Sequence, residues 1–326
     1  MDTSSESPLV SVVLATYDRH EFLADAIETV VKQTYDEIEL IVVDDHSPES
    51  PRDIVESAPH NELRDIVFVR HEENRGASAA RNTGIETARG ELIAFLDDDD
   101  IWELTKIERQ VDSLRNAEPN VGAVYTGIRT VDTDRSTIAV RHADREGDLT
   151  KEILCGFTPP FPSVVVRREV VAATGPLDED LPSWNDREWL LRVSQHCEFV
   201  AIDAPLVVSQ RGDDHGNLSS NFAIKKRQSY PRVVEKFQPV AREYSWLFAR
   251  KSYAHLTFKL GYAALTNGEY NEARKSFVTA LIQWPFVLKF HLYAFVATTG
   301  DRGYKTARQL KRILERHCLV KQFRTR

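Results

Sequence analysis

Gly90-Glu-Leu-Ile-Ala-Phe-Leu-Asp-Asp-Asp-Asp100 places an apolar run directly before four consecutive aspartates, with Ile101-Trp102 following. Like charges at this spacing repel and raise one another's pKa. A bound divalent cation removes that cost, and hard cations such as Mg2+ or Mn2+ take carboxylate oxygens. The stretch therefore reads as a metal site at the carboxyl end of a strand, where open α/β sheets bind ligands. By itself the acidic run could equally be a solvated turn. Its surroundings decide between the two.

Upstream, residues 9–15 (Leu-Val-Ser-Val-Val-Leu-Ala) form a short β-rich run, and 21–33 carry Phe22, Leu23, Ala26, Ile27, Val30 and Val31 at a helical period. Residues 38–43 read as a buried strand ending at Asp44-Asp45, 51–57 as a short helix, 66–69 as a third strand and 77–88 as a second long helix. Residues 92–96 are the fourth strand. The pattern predicts a helix over 102–117, with Asp100 as its cap, and a strand over 121–125. Strands alternating with helices of this length predict an α/β fold with a mostly parallel central sheet, Rossmann-like and flanked by helices. Neither a GxGxxG fingerprint nor a GxxxxGK[ST] loop is present, which disfavours a dinucleotide fold and a P-loop ATPase. From about 125 to 221 prolines and glycines mark loops, with strands expected at 163–167 and 199–202 and a helix at 184–196.

The 326 residues are 42% hydrophobic and 28% charged, as in a soluble globular protein. The net charge of −8 is unevenly placed. Residues 301–326 hold nine Lys/Arg against Asp301 and Glu315, a net +7 that leaves −15 on the rest. An acidic body argues against nucleic acid as a partner, while the basic tail suits an anionic surface. Cys155, Cys197 and Cys318 form no CxxC pair, so neither a zinc site nor a disulfide framework is indicated. The polar start, Met1-Asp-Thr-Ser-Ser-Glu-Ser-Pro8, lacks the regions of a signal peptide, so a cytoplasmic location is expected, peripheral on the membrane's cytoplasmic face if the tail engages lipid.

Five stretches in order resemble the family 2 glycosyltransferases of GT-A fold. They are Val10-Ser-Val-Val-Leu-Ala-Thr-Tyr-Asp-Arg19, Ile41-Val-Val-Asp-Asp-His-Ser47, Asn74-Arg-Gly-Ala-Ser-Ala-Ala-Arg-Asn-Thr-Gly84, the aspartate run from Gly90, and Trp184-Asn-Asp-Arg-Glu-Trp-Leu-Leu-Arg192. The resemblance covers about residues 8–221 and implies inverting transfer of a sugar from a nucleoside-diphosphate donor. It implies that Ala15, Thr16 and Tyr17 lie near the base and ribose, and that Asp45 accepts the N3–H of a uracil, which fits a UDP-sugar. Arg81 corresponds to an arginine near the nucleotide, where a permanent cation suits phosphate; an ion pair steadying its own helix is the plainer role. The family's D-x-D falls on Asp97 and Asp99. Asp99 is the expected ligand of Mn2+ or Mg2+, Asp97 faces the ribose or the metal's waters, and Asp98 stands at the variable position among the nucleotide-binding residues.

Asp186 lies where the family carries its catalytic base, although the usual preceding glutamate is Asn185 here. Gln210-Arg-Gly-Asp-Asp-His-Gly-Asn-Leu-Ser219 resembles the loop that closes the family's site, so Arg211 and His215 are candidate contacts to the diphosphate or the metal.

The expected organisation is a leader over 1–8, a GT-A domain over 9–222 and a helical extension over 223–326. In the extension, 253–266 and 269–281 read as a helical hairpin broken at Asn267-Gly268, similar to a single tetratricopeptide unit. Residues 284–297 are apolar and aromatic and precede the basic tail, which fits either an interfacial helix with an electrostatic anchor or a helix buried against the protein. The implied acceptor is a glycan or a polyprenyl-linked molecule. The competing reading is a noncatalytic nucleotide-sugar-binding or scaffold protein working through its helices, which would have no need of Asp186.

Overall fold

The computed structural model describes residues 7–59, 63–210, 221–301 and 303–306. Strand β1 (Val10–Thr16) runs parallel between β2 (Ile38–Asp44) and β4 (Leu92–Asp97), and β3 (Asp65–Arg70) lies parallel outside β2. The connecting helices are α1 (His20–Val31), α2 (Arg52–Glu56) and α3 (Ala77–Thr87). Because successive side chains of β1 point to opposite faces, Val10, Val12 and Leu14 pack with Leu23, Ala26, Ile27 and Val30 of α1. Val13 faces the other way, under α3. There, a Cβ on Gly84 would come within 2.3 Å of a Val13 methyl, so glycine is what lets α3 lie this close. Burying each Val, Leu or Ile of this core contributes about 1.5–3 kcal/mol.

The strand order is β3-β2-β1-β4, reversing between β1 and β4, so the carboxyl ends of these strands border a crevice. The register sets Thr16 against Asp44 and Ala15 against Asp97, bringing three sequence-distant polar ends to one level.

Beyond β4 the sheet becomes mixed, in the order β8-β6-β9-β5, with β7 on the flank of β6. These strands are β5 (Asp100–Trp102), β6 (Val121–Val131), β7 (Thr137–Arg141), β8 (Val165–Arg167) and β9 (Glu198–Gln210). β8 runs antiparallel to β4 and β6, and β6 and β9 are parallel. Parallel pairing thus joins the first four strands and also β6 to β9, and antiparallel pairings complete the sheet.

The helix expected from 102 starts later, as α4 (Lys106–Arg115), with Thr105 at its N-cap position. Asp100 does not cap it. Asp100, Ile101 and Trp102 pair antiparallel with Ser209, Val208 and Val207, and Trp102 buries its ring while Nε1 donates to the Pro162 carbonyl at 3.0 Å. Strands expected over 121–125 and 199–202 are longer than their apolar runs. Gly127 and Pro205 do not end them: they face each other across irregularities in register that absorb both residues.

Three further helices lie between these strands: α5 (Thr150–Leu154), α6 (Arg168–Thr174) and α7 (Asn185–Val193). The chain divides into two units. The first is Met1–Thr150, Thr158–Asp180 and Asn185–Asp213; the second is Lys151–Phe157, Leu181–Trp184 and Asp214–Arg326. The second unit contains α8 (Phe222–Ile224), α9 (Tyr230–Tyr244), α10 (Trp246–Thr266), α11 (Tyr270–Gln283) and α12 (Leu288–Thr298). The hairpin α10–α11 turns at Asn267-Gly268 as its sequence predicts. Phe258 stacks on Phe290 at 4.7 Å and meets Phe277 at 5.1 Å, so one face of α12 closes this small core.

Candidate active site

The four aspartates alternate in burial. Asp97 ends β4 with 32% of its side chain exposed and Asp99 keeps 33%, whereas Asp98 keeps only 8% and Asp100 is buried. The two open carboxylates are thus the two that the D-x-D spacing selects. Asp98 turns inward, accepting the Thr16 hydroxyl at 2.8 Å, and so ties the acidic turn to the end of β1. Burial, only partly offset by Arg19 and the Thr16 hydroxyl, pushes Asp98 up to about 6. Burial and then the Asp97 charge raise Asp99 as well. Asp100 is raised well above the carboxylate range by burial and its acidic neighbours, and its Oδ1 has no hydrogen-bond partner among the described residues.

Two arginines balance this charge. Arg19 reaches Asp99 at 2.7 Å and Asp98 at 3.2 Å. Arg81 donates to Asp97 at 2.6 Å, with its guanidinium 4.9 Å from the Phe161 ring centre. The expected nucleotide residue Arg81 therefore holds the first D-x-D carboxylate, a role its sequence position did not reveal. Arg19 escaped the sequence reading altogether, because nothing in a single arginine after β1 signals a partner eighty residues away.

These groups suit a hard divalent cation. Four carboxylates crowd one turn, two of them open oxygen donors, and the buried Asp100 Oδ1 has no partner among the described residues. Among the described residues, no three or more His, Cys, Asp or Glu side chains form a ready-made cage. Mg2+ is typically held by one or two carboxylates plus substrate phosphates, which is the arrangement such a partial set could complete.

Asp45 sits next to Thr16, its N–H donating to the Thr16 carbonyl. Its side chain is nearly inaccessible: Oδ1 contacts His71 Nδ1 at 2.8 Å and accepts the Arg75 N–H at 2.9 Å, while Oδ2 accepts the Gly76 N–H at 2.7 Å. Asp45 thereby fixes the loop that begins α3, where Gly76 adopts φ +90°. The Asp44 carboxylate, wholly buried, holds Ser47 and Arg70. Ala15 is in the ladder between Val43 and Asp97, and Tyr17 projects outward, 45% exposed. Asp18 and His46, in the loops after β1 and β2, and Trp184, just before α7, are three of the four non-glycine residues with positive φ among those described. Backbone strain of this kind gathers in segments that aim side chains.

Asp186 lies in the first turn of α7, half-buried. Asn185 shapes this end. Its Oδ1 accepts the Asp186 N–H at 2.8 Å, and its Nδ2 donates to Ser78 Oγ at 2.7 Å, joining α7 to the start of α3. The amide at 185 thus has a structural task that a glutamate could not perform in the same way. Arg187 is buried, and burial pushes it down to about 10 against the opposing field of Asp186. Arg141, although exposed as a residue, has a sheltered guanidinium whose pKa burial lowers, with Asp186 again opposing. Two cations therefore lie in the electrostatic neighbourhood of Asp186. Beneath it, Trp189 meets Phe95 edge-on at 5.4 Å and Phe161 at 5.9 Å, and Phe95 and Phe161 are 4.5 Å apart. Phe95 is two residues before Asp97, so this aromatic cluster couples the acidic strand end to the helix bearing Asp186. Arg211 and His215 lie outside the described residues.

Residues 11–171 match the family profile described as Glycosyl transferase family 2. TuaG of Bacillus subtilis, whose name places it in teichuronic acid biosynthesis, is 40% identical over 127 residues, covering 39% of this chain and 49% of TuaG. WfaP of Escherichia coli, a UDP-Glc:alpha-D-GlcNAc-diphosphoundecaprenol beta-1,3-glucosyltransferase, is 37% identical over 105 residues, covering 32% of this chain and 40% of WfaP. The chain spans about half the length of the first curated relatives it matches. In fold it is similar to residues 1–349 of S. aureus TarS, solved in complex with UDP-GlcNAc, with TM-score 0.61 and 17% identity over 93% of this chain and 91% of that one. Residues 11–171 thus carry the glycosyl transferase family 2 segment, and with its reversing sheet and acidic strand end the chain has the GT-A fold.

Proposed function

We propose that the protein transfers a sugar, with inversion, from a nucleoside-diphosphate donor to a glycan or lipid-linked acceptor in the assembly of a surface glycan, and that the donor is a UDP-sugar. The observation that carries this reading is the alternation of open and buried carboxylates at the β1/β4 crevice. The relatives lend support: one acts with UDP-Glc on a diphosphoundecaprenol-linked sugar, and the fold neighbour was solved with UDP-GlcNAc.

In this reading Ala15, Thr16, Tyr17 and Asp45 border the nucleoside, and Asp45 fixes the loop beside the base. Asp99 would hold Mn2+ or Mg2+, with Asp97 toward the ribose or the metal's waters, and the cation would neutralise the charge building on the departing diphosphate. Asp98 braces the turn from within, and Arg81 keeps Asp97 aimed. Asp186 accepts the proton of the acceptor hydroxyl as its oxygen attacks the anomeric carbon from the face opposite the diphosphate. The new C–O bond forms as the bond to the diphosphate breaks, which inverts the configuration. We assign the transfer chemistry to residues 9–222 and an accessory role to the helices from 223 onward.

The test is UDP release from a panel of UDP-sugars with Mn2+, offering sugar-diphosphate lipids and free sugars as acceptors in parallel. Turnover with one donor–acceptor pair is expected. If neither Mn2+ nor Mg2+ strengthens the binding of any nucleoside diphosphate in calorimetry, the reading fails.

A further inference from the structure

Helix α12 is apolar on two opposite sides, with Lys289 and His291 on the flanks between them. Phe290, Ala294 and Ala297 face inward and are buried. On the opposite side, Leu288, Leu292 and Phe295 follow one another at i, i+4 and i+7 and are 83%, 57% and 67% exposed. Phe286, at 79%, precedes the stripe, and Ile282 at the end of α11 is 68% exposed. Of the twelve large exposed hydrophobic residues among those described, six lie between 278 and 295. Clustered exposed apolar residues of this kind mark an interaction site.

We infer that this face of α12 is a docking surface for an anionic lipid bilayer, on which the helix lies flat with Phe286, Leu288, Leu292 and Phe295 in the headgroup boundary. Charge selects the occupant. Lys289 flanks the stripe, and the sequence that follows, residues 301–326, carries nine Lys/Arg against two acidic residues, most of it outside the described residues. Apolar side chains beside a basic segment are the two signals that together hold a protein at an anionic membrane. A second copy of the chain fits less well. Each copy carries −8 overall. The four side chains offer roughly 500 Å2, given 150–250 Å2 for an aromatic, whereas a stable interface takes about 800 Å2 per partner. The helix cannot span either: its 11 residues are about 16 Å long against a hydrocarbon core of ~30 Å, and no described helix is long and apolar enough to cross. The inference goes beyond the proposed reaction, although a lipid-linked acceptor would be presented on such a surface.

The test is flotation of the full chain with phosphatidylcholine vesicles, with and without phosphatidylglycerol, comparing the native protein with the double variant Leu292→Glu/Phe295→Glu. Both residues are exposed, and circular dichroism checks that the fold is retained. The native protein should float only with the anionic vesicles, less so in high salt, and the double variant should bind about tenfold more weakly or worse although it keeps the entire basic tail. Equal flotation of the two proteins, no flotation of the native protein, or a native dimer that the variant abolishes would each overturn the inference. UDP release with a soluble acceptor reads the catalytic site separately. Lost flotation with intact turnover refutes only the docking surface, and lost turnover with intact flotation refutes only the reaction.

Discussion

Replacing Asp186 by Asn is the sharpest probe of the proposed chemistry. The amide is isosteric, and the backbone bond from the Asp186 N–H to Asn185 Oδ1 is untouched, so the start of α7 keeps its shape. What disappears is the proton acceptor and one negative charge. A positioned general base contributes about 10²–10⁴-fold, which corresponds to roughly 3–5 kcal/mol of barrier. The charge also matters to stability, because Arg187 is buried and Asp186 opposes the effect of that burial. Losing it should cost about 1–3 kcal/mol, so rates should be compared well below the variant's unfolding midpoint. The assay is steady-state UDP release with a hydroxyl acceptor, paired with calorimetry of UDP and Mn2+. The expected result is a kcat lowered by at least about a hundredfold with nucleotide affinity little changed. Wild-type kcat in Asp186→Asn would refute the assigned base, and a loss of UDP affinity as large as the loss of rate would make the residue part of the donor site instead.

Asp99→Asn, or chelation of divalent cations, should suppress transfer by about two orders of magnitude or more, with Mn2+ or Mg2+ restoring the chelated enzyme but not the variant; this is read in the same assay. Arg81→Met should destabilise the first unit by about 2 kcal/mol, since it removes a partly buried charge-assisted hydrogen bond to Asp97, and should also raise the donor KM; thermal melts and kinetics check both. Lys106 is fully buried, its Nζ lies 3.6 Å from the centre of the Trp102 ring with no hydrogen-bond partner among the described residues, and burial lowers its pKa well below the ordinary lysine value. Between that lowered value and the ordinary one the unfolded chain therefore binds the extra proton, so stability contributed at this site rises with pH across that window and falls as pH drops through it. Lys106→Met should flatten that slope and add about 1–3 kcal/mol at neutral pH, as measured by urea denaturation at several pH values; unchanged or reduced stability would contradict it.

Much of the fold is written in local pattern. Short apolar runs and the helical period of α1 place β1, β2, β4 and α1 within a few residues, because strands buried on both faces and the core side of α1 display their apolar residues in the sequence itself. The aspartate run is equally legible, since four adjacent carboxylates need no partner to be noticed. Residues 100–102 were misread because a short strand is held by the distant Val207–Ser209, and no local period records that pairing. The sequence alone established the α/β order, the acidic strand end and the uneven charge. Only tertiary structure decided which aspartates stay open, that Arg81 and Arg19 hold them, that Asn185 ties Asp186 to α3, and that α12 leaves an apolar stripe uncovered. Periodicity reports how a residue faces its own element, whereas a carboxylate's exposure and its ionic partner depend on chain segments brought alongside it by the sheet.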